Sequence, residues 1–240
     1  LGLPVWYHDR VMENFLLRLP EIVIQILAFA LALSVHESAH GWMAERLGDP
    51  TARWLGRITL NPIKHIDLIG TIVFPLMLAV IGAPIIGWAK PVPFVNRNLR
   101  DQRWGPALVG LAGPASNVLF GAIVTFVLLV VKAVTPNFRT ILIAAVGGGP
   151  TAISGVLAPL LALLYWLAAV NVVLAVFNLI PLPPLDGSHI LAAVLPARLS
   201  WQYAQIRQYG MIILFVLVWM GFFGRILTPF LRALEWVLLS

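Results

Sequence analysis

Long runs of apolar residues, separated by short polar connections, dominate the chain. Residues 68–89, 104–131 and 140–185 contain no Asp, Glu, Lys, Arg or His. Crossing ~30 Å of hydrocarbon takes roughly 20 apolar residues as a helix, so each run is long enough to span a bilayer. Residues 208–224 form a shorter run, read as continuing through Pro229 as a broken helix to the C-terminus. The first apolar run, 21–35, reaches spanning length only when residues 36–44 are added to it. The pattern predicts an all-α polytopic membrane protein with about five to six transmembrane helices. It is read as a single domain over residues 1–240, with C-terminal helices over about 205–239.

Breaks in the pattern add detail. Gly48-Asp49-Pro50 closes the first helix, as glycine and proline after a periodic run should. Residues 54–60 are too short for a helix and alternate Trp, Ile and Thr with other types. They predict a strand or short β-hairpin closed by Asn61-Pro62. Residues 83–93 hold prolines at 84, 91 and 93, so they predict a re-entrant segment shielded by protein. Gly147-Gly148-Gly149-Pro150 reads as a turn, and Pro181-Leu182-Pro183-Pro184 breaks the longest apolar run near its end.

Composition agrees with this picture: 60% of residues are hydrophobic, 11% are charged, and the mean hydropathy is +0.91. A soluble domain carries about a quarter charged residues, so an ordinary soluble enzyme is excluded. The net charge of +6 does not point to nucleic acid, because no soluble face is left to carry a binding surface. Basic residues in such a chain mark topology. Eight of sixteen lie between Arg46 and Arg103, which places the connections around residues 46–64 and 90–103 on the cytoplasmic side. A full crossing by residues 68–89 would put those two connections on opposite sides, a conflict the sequence leaves open. The chain opens on Leu1, which suits a trimmed N-terminus, and no secretory signal is recognisable. With no cysteine, any metal must rest on His, Asp and Glu.

Ionisable residues inside the first span stand out. Each should cost a few kcal/mol in a bilayer, yet His36-Glu37-Ser38-Ala39-His40 brings three within five positions. On a helix, positions i and i+4 differ by about 40° in azimuth, so both imidazoles point the same way and can share one zinc ion. Glu37, about 100° round from His36, is placed to act as general base toward a water there. A hydrolytic zinc needs a third protein ligand and an open position. The long metzincin spacing would require His at position 46, which is Arg46. Asp186 is the only carboxylate between Asp101 and Glu235, and it follows the proline break. It suits a helix N-cap and a metal ligand equally in form. Charge favours the ligand: Zn²⁺, Asp186 and Glu37 sum to zero, and a neutral cluster is far cheaper to bury than its parts. Asn171 and Asn178 are seven apart and share a helix face. Asn171 suits an interhelical hydrogen bond, whereas the Asn178 amide could polarise a scissile carbonyl or hold an oxyanion. His65, Asp67 and His189 read as loop or supporting residues.

Three motifs in order carry a resemblance: His36-Glu37-Ser38-Ala39-His40, Gly113-Pro114-Ala115-Ser116-Asn117, and Asn178-Leu179-Ile180-Pro181-Leu182-Pro183-Pro184-Leu185-Asp186-Gly187. The chain resembles the site-2 protease family of intramembrane zinc metalloproteases. It is closest in form to a compact prokaryotic branch without PDZ or paired nucleotide-binding modules. The resemblance covers about residues 25–195. It implies one Zn²⁺ per chain bound by His36, His40 and Asp186, Glu37 as catalytic base, and Asn178 and Asn117 as asparagines near the metal. The expected activity is hydrolysis of peptide bonds within or near transmembrane segments, at the cytoplasmic side of a prokaryotic plasma membrane. Expected partners are single-span or signal-peptide-like membrane proteins and the bilayer, with no nucleic acid. The segment of Arg57, Ile58 and Thr59 is expected to bind substrate by strand addition, replacing backbone bonds lost when a helix unwinds. The alternative is a membrane metal transporter or metal-binding protein without proteolysis, which should line a path with ligands.

Overall fold

A computed structural model describes residues 5–80, 87–147 and 155–240. The first helix, α1 (Val5–Arg46), contains an apolar stretch, Arg18–Arg46, long enough to cross a membrane. It ends at Gly48, and a single helical turn, α2 (Thr51–Trp54), follows. Short 3₁₀ turns at Pro62–Lys64 and Asn96–Asn98 bracket a wide-turned π segment, Leu68–Val73, that runs into α3 (Phe74–Val80). The spans α4 (Trp104–Val134) and α6 (Leu157–Asn178) are separated by the short α5 (Phe138–Val146). After the proline break come α7 (Gly187–Val194), α8 (Ala197–Ile206), α9 (Gly210–Trp219) and α10 (Phe222–Leu239).

The helices α1, α4 and α6 pack on one another more extensively than any other set. Their shared core is built from Ala28, Ala32 and Leu33 of α1, Val124 and Leu128 of α4, and Leu161 and Ala168 of α6. Alanine at the contacts lets backbones approach closely, which is how helices associate where lipid is as apolar as leucine. Outward positions such as Leu27, Leu119 and Phe126 are also apolar and exposed, as a lipid-facing surface requires. The result is an all-helical, multi-pass membrane protein.

Among the described residues, three helices are long and apolar enough to cross, Arg18–Arg46, Trp104–Val134 and Leu157–Asn178, or up to four if the bent pair Ala197–Trp219 and Phe222–Leu239 counts as one span. That pair turns by 65° at its break, where Gly221 takes a positive φ of 69°. The described residues thus give three to four candidate spans where five to six were expected. Freedom from charge does not distinguish one long helix from short ones. Among the described residues, the run 68–89 gives helix over 68–80, about 20 Å, and the run 140–185 spends part of its length on the nine-residue α5.

The expected strand or hairpin at 54–60 is likewise not seen, and no strand occurs among the described residues. Trp54 closes a helical turn, Gly56 enters the left-handed region at φ 63°, and residues 58–60 are bends. The Thr59 carbonyl, which a strand would offer to a neighbour, accepts from Ser38 Oγ and from His65 Nε2 instead. Of the proline-rich segment, residues 83–86 lie outside the described residues, as do Gly148, Gly149 and Pro150 of the glycine turn. Residues 87–93 run without helix or strand, fastened to the core: Trp88 N–H donates to Gly70 O at 3.1 Å, and Lys90 N–H to His65 O at 2.9 Å.

Asp49 closes this region from the other end. Its fully buried carboxylate accepts from Val95 N–H (2.6 Å), from the Asn98 amide (3.0 Å), and from both the backbone N–H (3.2 Å) and the hydroxyl (2.5 Å) of Thr51. Burial pushes the Asp49 carboxyl up, but these bonds outweigh it and hold it below the usual carboxylate range. A depressed folded value adds stability that is full above the unfolded carboxylate value, about 4, and is lost as pH falls through the folded one. Asp49→Ala should therefore cost about 1–3 kcal/mol at pH 7 by orphaning buried donors. The gap in thermal unfolding midpoint from the wild type, measured in detergent, should narrow as the pH drops below about 4.

Candidate metal centre

His36 and His40 lie one turn apart on α1, with Nε2 atoms 3.0 Å from each other. Asp186, on the turn leading into α7, reaches both: Oδ2 is 3.1 Å from His36 Nε2, and Oδ1 is 3.4 Å from His40 Nε2. Asp186 stands at the N-cap position of α7 but makes no capping bond with its side chain, which points to the imidazoles instead. Its Oδ2 is buried and has no hydrogen-bond partner. Four tetrahedral ligands at 2.0–2.2 Å from zinc would lie about 3.3 Å apart, so this triangle has the right size.

The outer nitrogens carry the second test. His40 Nδ1 lies 2.7 Å from the Val109 carbonyl, and His36 Nδ1 lies 2.6 Å from Asn117 Oδ1. Both partners are acceptors, so each Nδ1 is the protonated nitrogen and each Nε2 turns a lone pair toward the shared centre. That is the tautomer a metal ligand needs. An unpartnered carboxylate oxygen and two imidazole lone pairs aimed at one point are unfavourable without a cation between them, and the set fits zinc.

Gly113 explains why the second motif begins with glycine. A Cβ at that position would lie 2.5 Å from His40 Cε1 and 2.6 Å from His36 Cε1. Only a bare backbone lets α4 come flush against both rings.

Residues 24–221 match the family model described as peptidase family M50. The chain belongs to peptidase family M50. It is 34% identical over 225 residues to a Bacillus subtilis protein provisionally named zinc metalloprotease YwhC, covering 94% of this chain and 92% of that one. It is 27% identical over 196 residues to the similarly named Rip2 of Mycolicibacterium smegmatis, covering 82% of this chain and 66% of that protein. Rip2 of Mycobacterium tuberculosis (strain ATCC 25618 / H37Rv) is 25% identical over 195 residues, with 81% and 66% covered. No solved structure matches the chain. This M50 protein is a zinc metalloprotease.

Glu37 projects from α1 to the 87–93 segment, where its Oε2 accepts from Val92 N–H at 2.8 Å. Asn117 sits at the centre, fully buried on the far side of His36. Asn178 is partly buried near the end of α6 and donates to Leu174 O at 3.0 Å, a bond within its own helix. Arg57 is buried and turned inward, donating to Lys90 O at 2.6 Å. Ile58 and Thr59 line an apolar groove of about 470 Å³ with Val35, Ala39 and Trp42 of α1 and Ala115 of α4. His65 supports the Thr59 carbonyl, Asp67 accepts from Gly70 N–H at the start of the π segment, and His189 packs edge-on near Phe94. The Val109 carbonyl and Val92 N–H, both adjoining motif residues, are backbone groups with no residue signature in the sequence.

Gly113→Ala should leave the bundle folded but displace the rings. Zinc content after dialysis, read by atomic absorption, should fall at least about tenfold relative to the wild type.

Proposed function

We propose that this M50 protein is an intramembrane endopeptidase that hydrolyses peptide bonds within or near transmembrane segments. The carrying observation is that two of the three residues of the His36–His40–Asp186 triangle, His36 and His40, lie on an apolar helix of membrane-spanning length. A protease with its metal ligands on such a helix acts on what shares the bilayer with it. Single-span or signal-peptide-like membrane proteins are the proposed substrates, and residues 1–240 the single catalytic domain.

In this reading His36, His40 and Asp186 hold the zinc. Bound zinc supplies a Lewis acid and brings the pKa of a water into the neutral range. Glu37 takes the proton of the attacking water and delivers it to the amide nitrogen that leaves. The Val92 N–H on Oε2 fixes the Glu37 carboxylate and leaves Oε1 to handle the proton. Asn178 uses one amide hydrogen within its helix and offers the other to the carbonyl oxygen of the scissile bond. Asn117 acts through His36. The groove along Val35, Ala39, Trp42, Ile58 and Thr59 receives an apolar substrate segment beside the motif helix, with Arg57 tying the backbone next to Ile58 to Lys90.

The active site is proposed to face the cytoplasmic side of a prokaryotic plasma membrane. The described helix of residues 68–80 is shorter than a spanning helix, which supports keeping the basic connections on either side of it together, as the positive-inside rule asks. Co-expression with a panel of single-span substrates tests the reading. Glu37→Gln should lower cleavage at least about 100-fold while zinc content stays at the wild-type level. Cleavage independent of Glu37 would overturn the mechanism.

A further inference from the structure

His36 and His40 reach their ligand form by different means. The partner of His40 Nδ1 is the Val109 carbonyl, a backbone group that can only accept. The partner of His36 Nδ1 is the Asn117 side chain, an amide with an accepting end and a donating end. If that amide turned over, its NH₂ would face Nδ1. The His36 proton would then move to Nε2 and point into the metal position. The ligand state of His36 therefore depends on whatever fixes the orientation of Asn117.

That group is Asn171 of α6. Asn117 Nδ2 donates to Asn171 Oδ1 at 2.7 Å, and Asn171 Nδ2 donates in turn to the backbone carbonyl of Leu167 at 2.8 Å. A longer bond of 3.4 Å runs from Asn117 Nδ2 to Ala32 O. The Leu167 carbonyl cannot donate, so it forces the amide end of Asn171 toward itself and the oxygen toward Asn117. Asn117 must then give its NH₂ to Asn171 and its oxygen to His36. Both asparagines are fully buried, so bulk water cannot reach in to replace either partner. The close approach is built in: a Cβ on Gly121, one turn after Asn117, would lie 3.2 Å from Asn171 Cβ.

We propose that Asn171 is a positioning residue for the zinc site, setting through Asn117 the tautomer in which His36 offers Nε2 to the metal. This rests on His36 being a zinc ligand, the reading given above. It adds a determinant of metal affinity on α6, which supplies no ligand itself.

The test measures zinc affinity of the full-length protein in detergent by chelator competition, with the d–d spectrum of the cobalt-substituted protein as a second readout. Thr and Val are nearly isosteric. The hydroxyl of Asn171→Thr can donate to Leu167 O and accept from Asn117, whereas Asn171→Val can do neither. Asn171→Val should bind zinc 10- to 100-fold more weakly with an altered cobalt spectrum, and Asn171→Thr should stay within about threefold of the wild type. If Val fails to fold, Asn171→Asp and Asn171→Leu make the same comparison, because a neutral buried Asp reproduces both bonds and Leu neither. Equal affinities within a folded pair overturn the proposal, provided that His36→Ala abolishes zinc binding. Zinc binding unaffected by His36→Ala would overturn the ligand assignment itself, and the relay with it.

Discussion

An ionised group alone in an apolar bundle costs several kcal/mol, so the polar residues at the centre of this protein are tolerable only as a set. Two neutral imidazoles, two carboxylates and a divalent cation sum to zero, and the buried amides of Asn117 and Asn171 find partners within the bundle. The packing of α1, α4 and α6 follows from that need. The imidazoles come from α1, and α4 must approach closely enough at Gly113 for Asn117 and the Val109 carbonyl to reach them. The α6 helix must approach α4 closely enough to hold Asn117. The alanines and glycines at these contacts serve the polar centre as much as they serve helix association.

A second layer ties the motif-bearing face of α1 to the connection between it and α4. Ser38 holds the Thr59 carbonyl, Glu37 holds Val92 N–H, and Arg57 holds Lys90 O. Residues 57–59 and 87–92 form one irregular wall along the motif helix, fastened by side chains in place of a sheet. Asp49 anchors the base of this wall through Val95 and Asn98. The chain thus gives its active face a fixed non-helical surface in a region where open backbone must be shielded by protein.

The metal triangle was legible because its signals are intrinsic to residue type and helical period. The i and i+4 imidazoles announce themselves, and Asp186 is conspicuous where no other acid is near. Alternation over 54–60 misled, because seven residues of mixed polarity look alike in a strand and in a bent loop when Gly56 and the partner of Thr59 are unknown. The span count among the described residues falls short of the expectation for a related reason. Hydropathy measures what can enter a bilayer, whereas helix length is set by where the backbone turns, as in the short α3 and α5. The pairing of Asn171 with Asn117 was beyond reach, since a helix face reveals that an amide points inward but not which way round it is held. The carbonyl on His40 and the N–H on Glu37 belong to the main chain and leave no trace in side-chain pattern.

Asp186 lies 150 residues beyond His36 along the chain. During synthesis, the first span with its two imidazoles and Glu37 is made long before the third ligand. Between those moments the pair is a two-ligand site with no neutralising carboxylate from the far turn. Only when α6 has inserted and the turn after it has folded back against α1 is the triangle complete. With this separation, the triangle is complete only after most of the membrane fold exists.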